Sequence, residues 1–278
     1  MNLLEALLLG IVEGITEFLP VSSTGHLTIV EKLLGLQVDD PSVTAFTAII
    51  QVGAIIAVII YFRADIRRLA VAWGRGLASA AARTDPDYRF AWYVIVGSIP
   101  IGIVGFVAQD LIKGELRNLW VVVVALVGWS VVMWLAEHLA RQDRDETDTT
   151  LKDGIIIGLM QCIALIPGVS RSGSTISAGL FLGLNRVAAT RLAFFLAIPA
   201  LVAAGAYEAV TEADAITDGV GWLATAVGTV VSFIVGYASI AWLLRLVAKY
   251  SITVFIWYRL ALGALIAVLL GTGVITAT

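Results

Sequence analysis

Glu13 and Glu17 lie four residues apart in the segment EGITE, so a helix would place both on one face. Carboxylates inside an apolar segment are expensive and mark function by default. Such a pair suits a divalent cation, Mg²⁺ or Ca²⁺, or a general base; a water-exposed face at a hairpin mouth is the plainer account. The run Val21-Ser22-Ser23-Thr24-Gly25-His26 follows, and hydroxyls beside an imidazole and a carboxylate are the parts of an activated nucleophile. Ser22 serves equally well as a helix N-cap. A second run, Pro167-Gly168-Val169-Ser170-Arg171-Ser172-Gly173-Ser174-Thr175, sets an arginine in another apolar stretch. There Pro and Gly set a turn, hydroxyls and free N–H groups form an anion nest, and Arg171 can grip phosphate with two prongs. A salt bridge between Arg171 and Glu17 is the competing account, and the two can alternate. No Walker loop is present, because G-x-x-x-x-G-K-[ST] is missing. His138 reads as interfacial and Cys162 as a small core residue, while Gln51 and Arg259 are polar positions inside apolar stretches whose role the sequence leaves open.

The elements that hold these residues belong to a membrane. Of 278 residues, 59% are hydrophobic and 14% charged, with mean hydropathy +0.94, which no ordinary soluble domain matches. A net charge of -3 argues against nucleic acid as a partner, and one cysteine excludes a disulfide framework. The first twenty residues lack a basic n-region and a small-residue cleavage site, so no cleavable leader is expected. Six stretches have spanning length: Val43–Phe62, Phe90–Ile112, Leu119–Ala140, Ala188–Val210, Val220–Leu244 and Ile252–Thr276. Residues 3–36 and 154–184 are apolar but broken by LPVSSTGH and IPGVSRSGST, and both read as re-entrant helix hairpins. The expected fold is therefore an all-α integral membrane protein in one domain.

Charge sets the orientation. Six arginines and no lysine in residues 63–89 put that loop in the cytoplasm, and the base-free residues 211–219 fall outside. Both termini then lie outside, the first hairpin enters from outside and the second from inside. A shift of 148 positions aligns Gly10 with Gly158, Ser22 with Ser170 and Gly25 with Gly173, among eight identities over positions 10–36. Halves of one hairpin and three spans, about 1–140 and 151–278, make an inverted repeat, an arrangement that brings two broken helices together at the midplane.

The two loops resemble the signatures of the undecaprenyl-diphosphate phosphatase family, also called the bacitracin-resistance BacA family. EGITE fits its (E/Q)xxxE motif, PGVSRSGST fits PGxSRSxxT at every fixed position, and SSTGH matches its hydroxyl-rich stretch ending in histidine. The resemblance implies hydrolysis of a C55 polyprenyl diphosphate to the monophosphate in the plasma membrane, recycling the lipid carrier of cell-wall synthesis and conferring bacitracin resistance. It implies an extracytoplasmic site and a divalent cation, and motif matching carries functional roles to Glu13, Glu17, Ser23, Thr24, His26, Ser170, Arg171 and Thr175. On that basis Ser23 is the nucleophile, with Glu17 and His26 handling protons or metal and Glu13 sharing the metal. Arg171, with Ser22, Thr24, Gly168, Ser170, Ser172, Gly173, Ser174 and Thr175, would hold the diphosphate. Membrane lipid and a polyprenyl diphosphate are the expected partners, and the choice between monomer and homodimer stays open. A secondary transporter or lipid flippase is the rival, since inverted repeats suit it equally.

Overall fold

A computed structural model describes residues 1–38, 40–116, 118–211 and 219–277. Among them there is no strand, only helices and one isolated bridge between Arg144 and Leu184. In chain order the helices are α1 Leu3–Thr16, α2 Ser23–Leu33, α3 Pro41–Tyr61, α4 Arg63–Ala78, α5 Pro86–Val107, α6 Gln109–Lys113, α7 Leu119–Leu139, α8 Leu151–Ile163, α9 Arg171–Phe181, α10 Arg186–Thr211, α11 Trp222–Val247 and α12 Thr253–Gly271. Helices α3, α5, α7, α10, α11 and α12 are long and apolar enough to cross a membrane. The 14 residues of α1 span only about 21 Å against a hydrocarbon core of about 30 Å, so neither α1 nor the shorter α2, α8 and α9 can cross alone.

Local chemistry explains the boundaries. Asp40 and Asp85 each cap a helix whose first residue is proline, which fixes the starts of α3 and α5 at Pro41 and Pro86. The spans expected from Val43 and Phe90 therefore begin two and four residues earlier, because the cap and the proline decide the start and hydropathy does not. At its far end α5 stops at Val107 and not Ile112, where Ala108 breaks the chain before the short α6. The arginine-rich segment 63–89, expected as a loop, contains α4, whose Leu69 and Ala72 are buried while Arg67, Arg68 and Arg75 are exposed. Thr150 and Asp153 form a capping box at the start of α8, and Arg144 binds the same carboxylate at 2.5 Å and the Leu182 carbonyl at 2.7 Å. That arginine fastens the 140–150 connection to both arms of the α8–α9 hairpin.

The short helices are clamped by long ones: α1 against α11, and α8 against α5. Each crossing runs backbone to backbone over glycine. A Cβ on Gly10 would stand 2.5 Å from the Gly228 carbonyl oxygen, and one on Gly158 would stand 1.9 Å from that of Gly97. Helices approach this closely in membranes only where small residues meet. The main core draws residues from α3–α5 and α7–α12 around the chain at Phe18–Val21, and within it Phe18, Phe62, Phe194 and Phe195 pack edge-on or tilted at 5.1–5.9 Å. Around it, Glu137 of α7 binds Arg186 of α10 and accepts from the Ile252 N–H at the start of α12. Arg191 pairs with Glu146 and Asp65 in the same region. The base-free segment 211–219 and Arg117, both used for orientation, fall largely or wholly outside the described residues.

Candidate active site

Both hairpins break at serine. Ser22 and Ser170 adopt the same left-handed backbone conformation, φ +76°, which costs a non-glycine residue energy and persists only where its surroundings demand it. Each then caps the next helix: the Ser22 hydroxyl accepts from Gly25 N–H at 3.4 Å and that of Ser170 from Gly173 N–H at 3.2 Å. Gly25 and Gly173 are close-packed as well as capped, since a Cβ there would stand 3.0 Å from Val122 or 3.3 Å from Ser170. The tips meet. Gly168 N–H donates to the Ser22 hydroxyl at 3.2 Å, and the Ser172 and Ser170 hydroxyls reach the Glu17 and Leu19 carbonyls at 3.4 and 3.5 Å.

At that junction Glu17, 6% exposed, is gripped from both sides. Ser23 donates its hydroxyl proton to Glu17 Oε2 at 2.7 Å, and Arg171 Nη2 donates to Oε1 at 2.7 Å. Arg171 Nη1 is buried with no hydrogen-bond partner. Half of the guanidinium is thus committed to Glu17, while the other half is a strong donor with nothing to bind. The first N–H groups of α2 and α9 have no acceptor within their own helices and add to the positive character of the junction. A cavity of about 690 Å³ opens from it, lined at one end by Glu17, Ser22, Ser23, Thr24, Gly168, Ser170 and Arg171. Its remaining wall is mainly apolar, from Ile95, Ile99 and Phe106 of α5 and Pro199, Leu201 and Ala203 of α10. The shape suits an anionic head with a long hydrocarbon tail.

This site lies inside one family match. The description "Bacitracin resistance protein BacA" fits residues 6–265. The chain belongs to the BacA family. Over its whole length it is 62% identical to undecaprenyl-diphosphatase 3 of Frankia casuarinae and 54% identical to undecaprenyl-diphosphatase of Acidothermus cellulolyticus, covering all of both. A Mycobacterium undecaprenyl-diphosphatase is 47% identical over all of both chains.

Of the other residues singled out in this BacA-family sequence, all but Gln51 lie off the cavity wall. Ser174 and Thr175 are fully buried and donate to the Arg171 carbonyl at 3.1 and 2.8 Å, bracing the first turn of α9. His26 Nδ1 lies 2.6 Å from the Ser22 carbonyl, which can only accept, so Nδ1 carries the proton; Nε2 then accepts from the Tyr258 hydroxyl at 2.6 Å. Both ring nitrogens are occupied, and the ring stacks on Tyr258. Glu13 is 1% exposed, one helical turn before Glu17. His138 bonds its own helix at the Trp134 carbonyl, and the half-buried Cys162 thiol donates to Gly158 O. Gln51 proves to line the cavity from the middle of α3. Tyr258 had no signal in the sequence, being one aromatic among many.

A divalent cation at this junction could draw on the carboxylates of Glu13 and Glu17, which lie one helical turn apart. Among the described residues no three His, Cys, Asp or Glu side chains gather as a ligand set. Two carboxylates with substrate phosphates fit Mg²⁺, which keeps several waters and seldom uses an all-protein cage.

Proposed function

We propose that this protein is a membrane phosphatase that hydrolyses undecaprenyl diphosphate, or a closely similar polyprenyl diphosphate, to the monophosphate and inorganic phosphate. That reaction returns the lipid carrier to cell-wall synthesis and accounts for the bacitracin resistance in the family's description. The unpartnered Arg171 Nη1 beside the Ser23–Glu17 hydrogen bond carries this reading: a donor suited to a phosphate oxygen stands next to a hydroxyl paired with a base.

In the first step Ser23 Oγ attacks the terminal phosphorus and passes its proton to Glu17. The bond from that phosphorus to the bridging oxygen breaks, and polyprenyl monophosphate leaves with the bridging oxygen. Arg171 and the α2 and α9 N-termini neutralise the charge building on that oxygen. In the second step water displaces Ser23 from phosphorus; Glu17 returns its proton to Oγ, and the water's protons leave on inorganic phosphate. A cation held by Glu13, Glu17 and the diphosphate would supply further charge neutralisation. Ser22, Thr24, Gly168 and Ser170 shape the phosphate cradle, with Gly173 bonded to the Ser170 hydroxyl behind it and Ser172, Ser174 and Thr175 holding α9 in place. His26 holds the Ser22 carbonyl and thereby the start of α2.

The reading also takes α1–α2 and α8–α9 as re-entrant hairpins of two inverted repeats, about 1–140 and 151–278, in the plasma membrane. The arginines of α4 then face the cytoplasm and the cavity opens to the other side. The equal φ values at Ser22 and Ser170 and the two glycine crossings support the repeat. Purified protein in detergent should release phosphate from undecaprenyl diphosphate with no gradient present. No release under those conditions would leave the transporter as the better account.

A further inference from the structure

Among the described residues Arg259 is the largest fully buried side chain, and its hydrogen-bond partners there are oxygens of the backbone and one serine, none a carboxylate. From the middle of α12 its Nη1 donates to the Pro20 carbonyl at 3.3 Å and its Nη2 to the Gly168 carbonyl at 2.9 Å. Pro20 lies in the turn between α1 and α2, and Gly168 in the turn between α8 and α9. The same guanidinium reaches α7 through the Ala125 and Leu126 carbonyls at 3.3 and 3.4 Å and the Ser130 hydroxyl at 3.3 Å.

We propose that Arg259 is a positioning residue for the phosphoryl-transfer site, tying both hairpin tips to one point of the α7–α12 pair. It rests on the function proposed above, and adds to it a residue that touches no substrate. The physics favours a cation here. The turn of each hairpin carries carbonyls outside any helical ladder, and one from each turn, Pro20 and Gly168, meets the guanidinium at a fully buried spot where an unpaired carbonyl would be costly. A planar fork with five donors can bond several diverging carbonyls at once, whereas an ammonium cannot span the same acceptors. Pro20 precedes Ser23 by three residues, and Gly168 precedes Arg171 by three. Holding the two carbonyls therefore fixes the distance between the nucleophile–base pair and the phosphate clamp.

The test uses the full-length protein in detergent and four forms beside wild type: Arg259→Met, Arg259→Lys, Arg171→Lys, and Arg259→Met combined with Arg171→Lys. Arg259→Met should lower kcat/KM for undecaprenyl diphosphate by about 100-fold, the scale of a misplacement of roughly 1 Å. Arg259→Lys should recover part of that loss. In the Arg171→Lys background the further loss from Arg259→Met should shrink to about 3-fold or less, because the clamp it positions is already impaired. Hydrogen–deuterium exchange should rise at residues 17–24 and 165–173 in Arg259→Met while α3 stays protected. Equal fold-losses in both backgrounds, or tips that exchange as in wild type, would overturn the tie. Should Arg259→Met not fold, Arg259→Lys carries the same two comparisons with smaller effects. If wild type releases no phosphate, the proposed function fails, and the exchange data still decide whether Arg259 holds the tips.

Discussion

Glu17 accepts one hydrogen bond from Ser23 and one from Arg171, so its replacement separates binding from turnover. Glu17→Gln keeps the shape but cannot take the Ser23 proton, and it frees Arg171 for phosphate. Turnover should fall by about 10²–10⁴-fold while undecaprenyl diphosphate binds at least as tightly, measured by equilibrium binding to purified protein. Binding that weakens with turnover would put Glu17 in the phosphate cradle itself. Arg171→Ala should lose both properties, and Arg171→Lys should lose most of its turnover, because a point charge cannot bridge Glu17 and a phosphate as the fork does. The acids, the hydroxyls and Arg171 were legible in the sequence because charge in an apolar segment demands an explanation. What the sequence could not supply was direction. Ser22, Ser23 and Ser174 look alike as letters, yet one caps a helix and joins the two tips, one faces the carboxylate, and one bonds its own helix. Arg259 was visible as an odd residue in an apolar stretch, but its partners are carbonyls, and backbone groups leave no mark in the sequence.

At the scale of elements, the α8–α9 hairpin owes its inner anchorage to Arg144 and Asp153. Burial alone would raise the Asp153 carboxyl, but hydrogen bonds from Arg144 and Thr150 outweigh it and hold the carboxyl below the usual aspartate range. A depressed folded-state value means stability that is present above the unfolded value and lost as pH falls through the folded one. Thermal unfolding in detergent should therefore place Asp153→Asn several degrees below wild type from neutral pH down to about pH 5, with the gap closing below about pH 4. A gap that persists at low pH would mean the carboxylate charge is not what anchors the hairpin. The six spans and two breaks could be read from hydropathy and from proline, glycine and serine. Helix α4 could not, because its apolar stripe is short and its arginines looked like a plain cytoplasmic loop; only burial of Leu69 and Ala72 gives it a second face.

For the whole molecule, the proposed arrangement fixes which surfaces water reaches from which side. With Cys162 changed to Ala, a cysteine at exposed Ser79 should resist an impermeant thiol reagent applied to intact cells, and one at exposed Glu115 should react. The opposite pattern would turn the site towards the cytoplasm and remove it from the proposed pathway of substrate. Membership of the BacA family was already written in PGVSRSGST, whereas the union of the two tips had to be inferred from the repeat. The physical reason is that a nine-residue motif is local, while the Glu17–Arg171 contact joins residues 154 positions apart.

The glycine crossings bear on how genetic screens of this protein will read. Gly10 and Gly158 lie outside the cavity wall, yet neither has room for one added carbon unless the facing helix backbone shifts. Saturation mutagenesis under bacitracin selection should return two intolerant spots there, as sharp as those at Glu17 and Arg171. Ranked by fitness alone, structural and chemical positions would be indistinguishable. Abundance scored in parallel should separate them, with alanine at Gly158 depleting the protein from the membrane and glutamine at Glu17 leaving its amount unchanged.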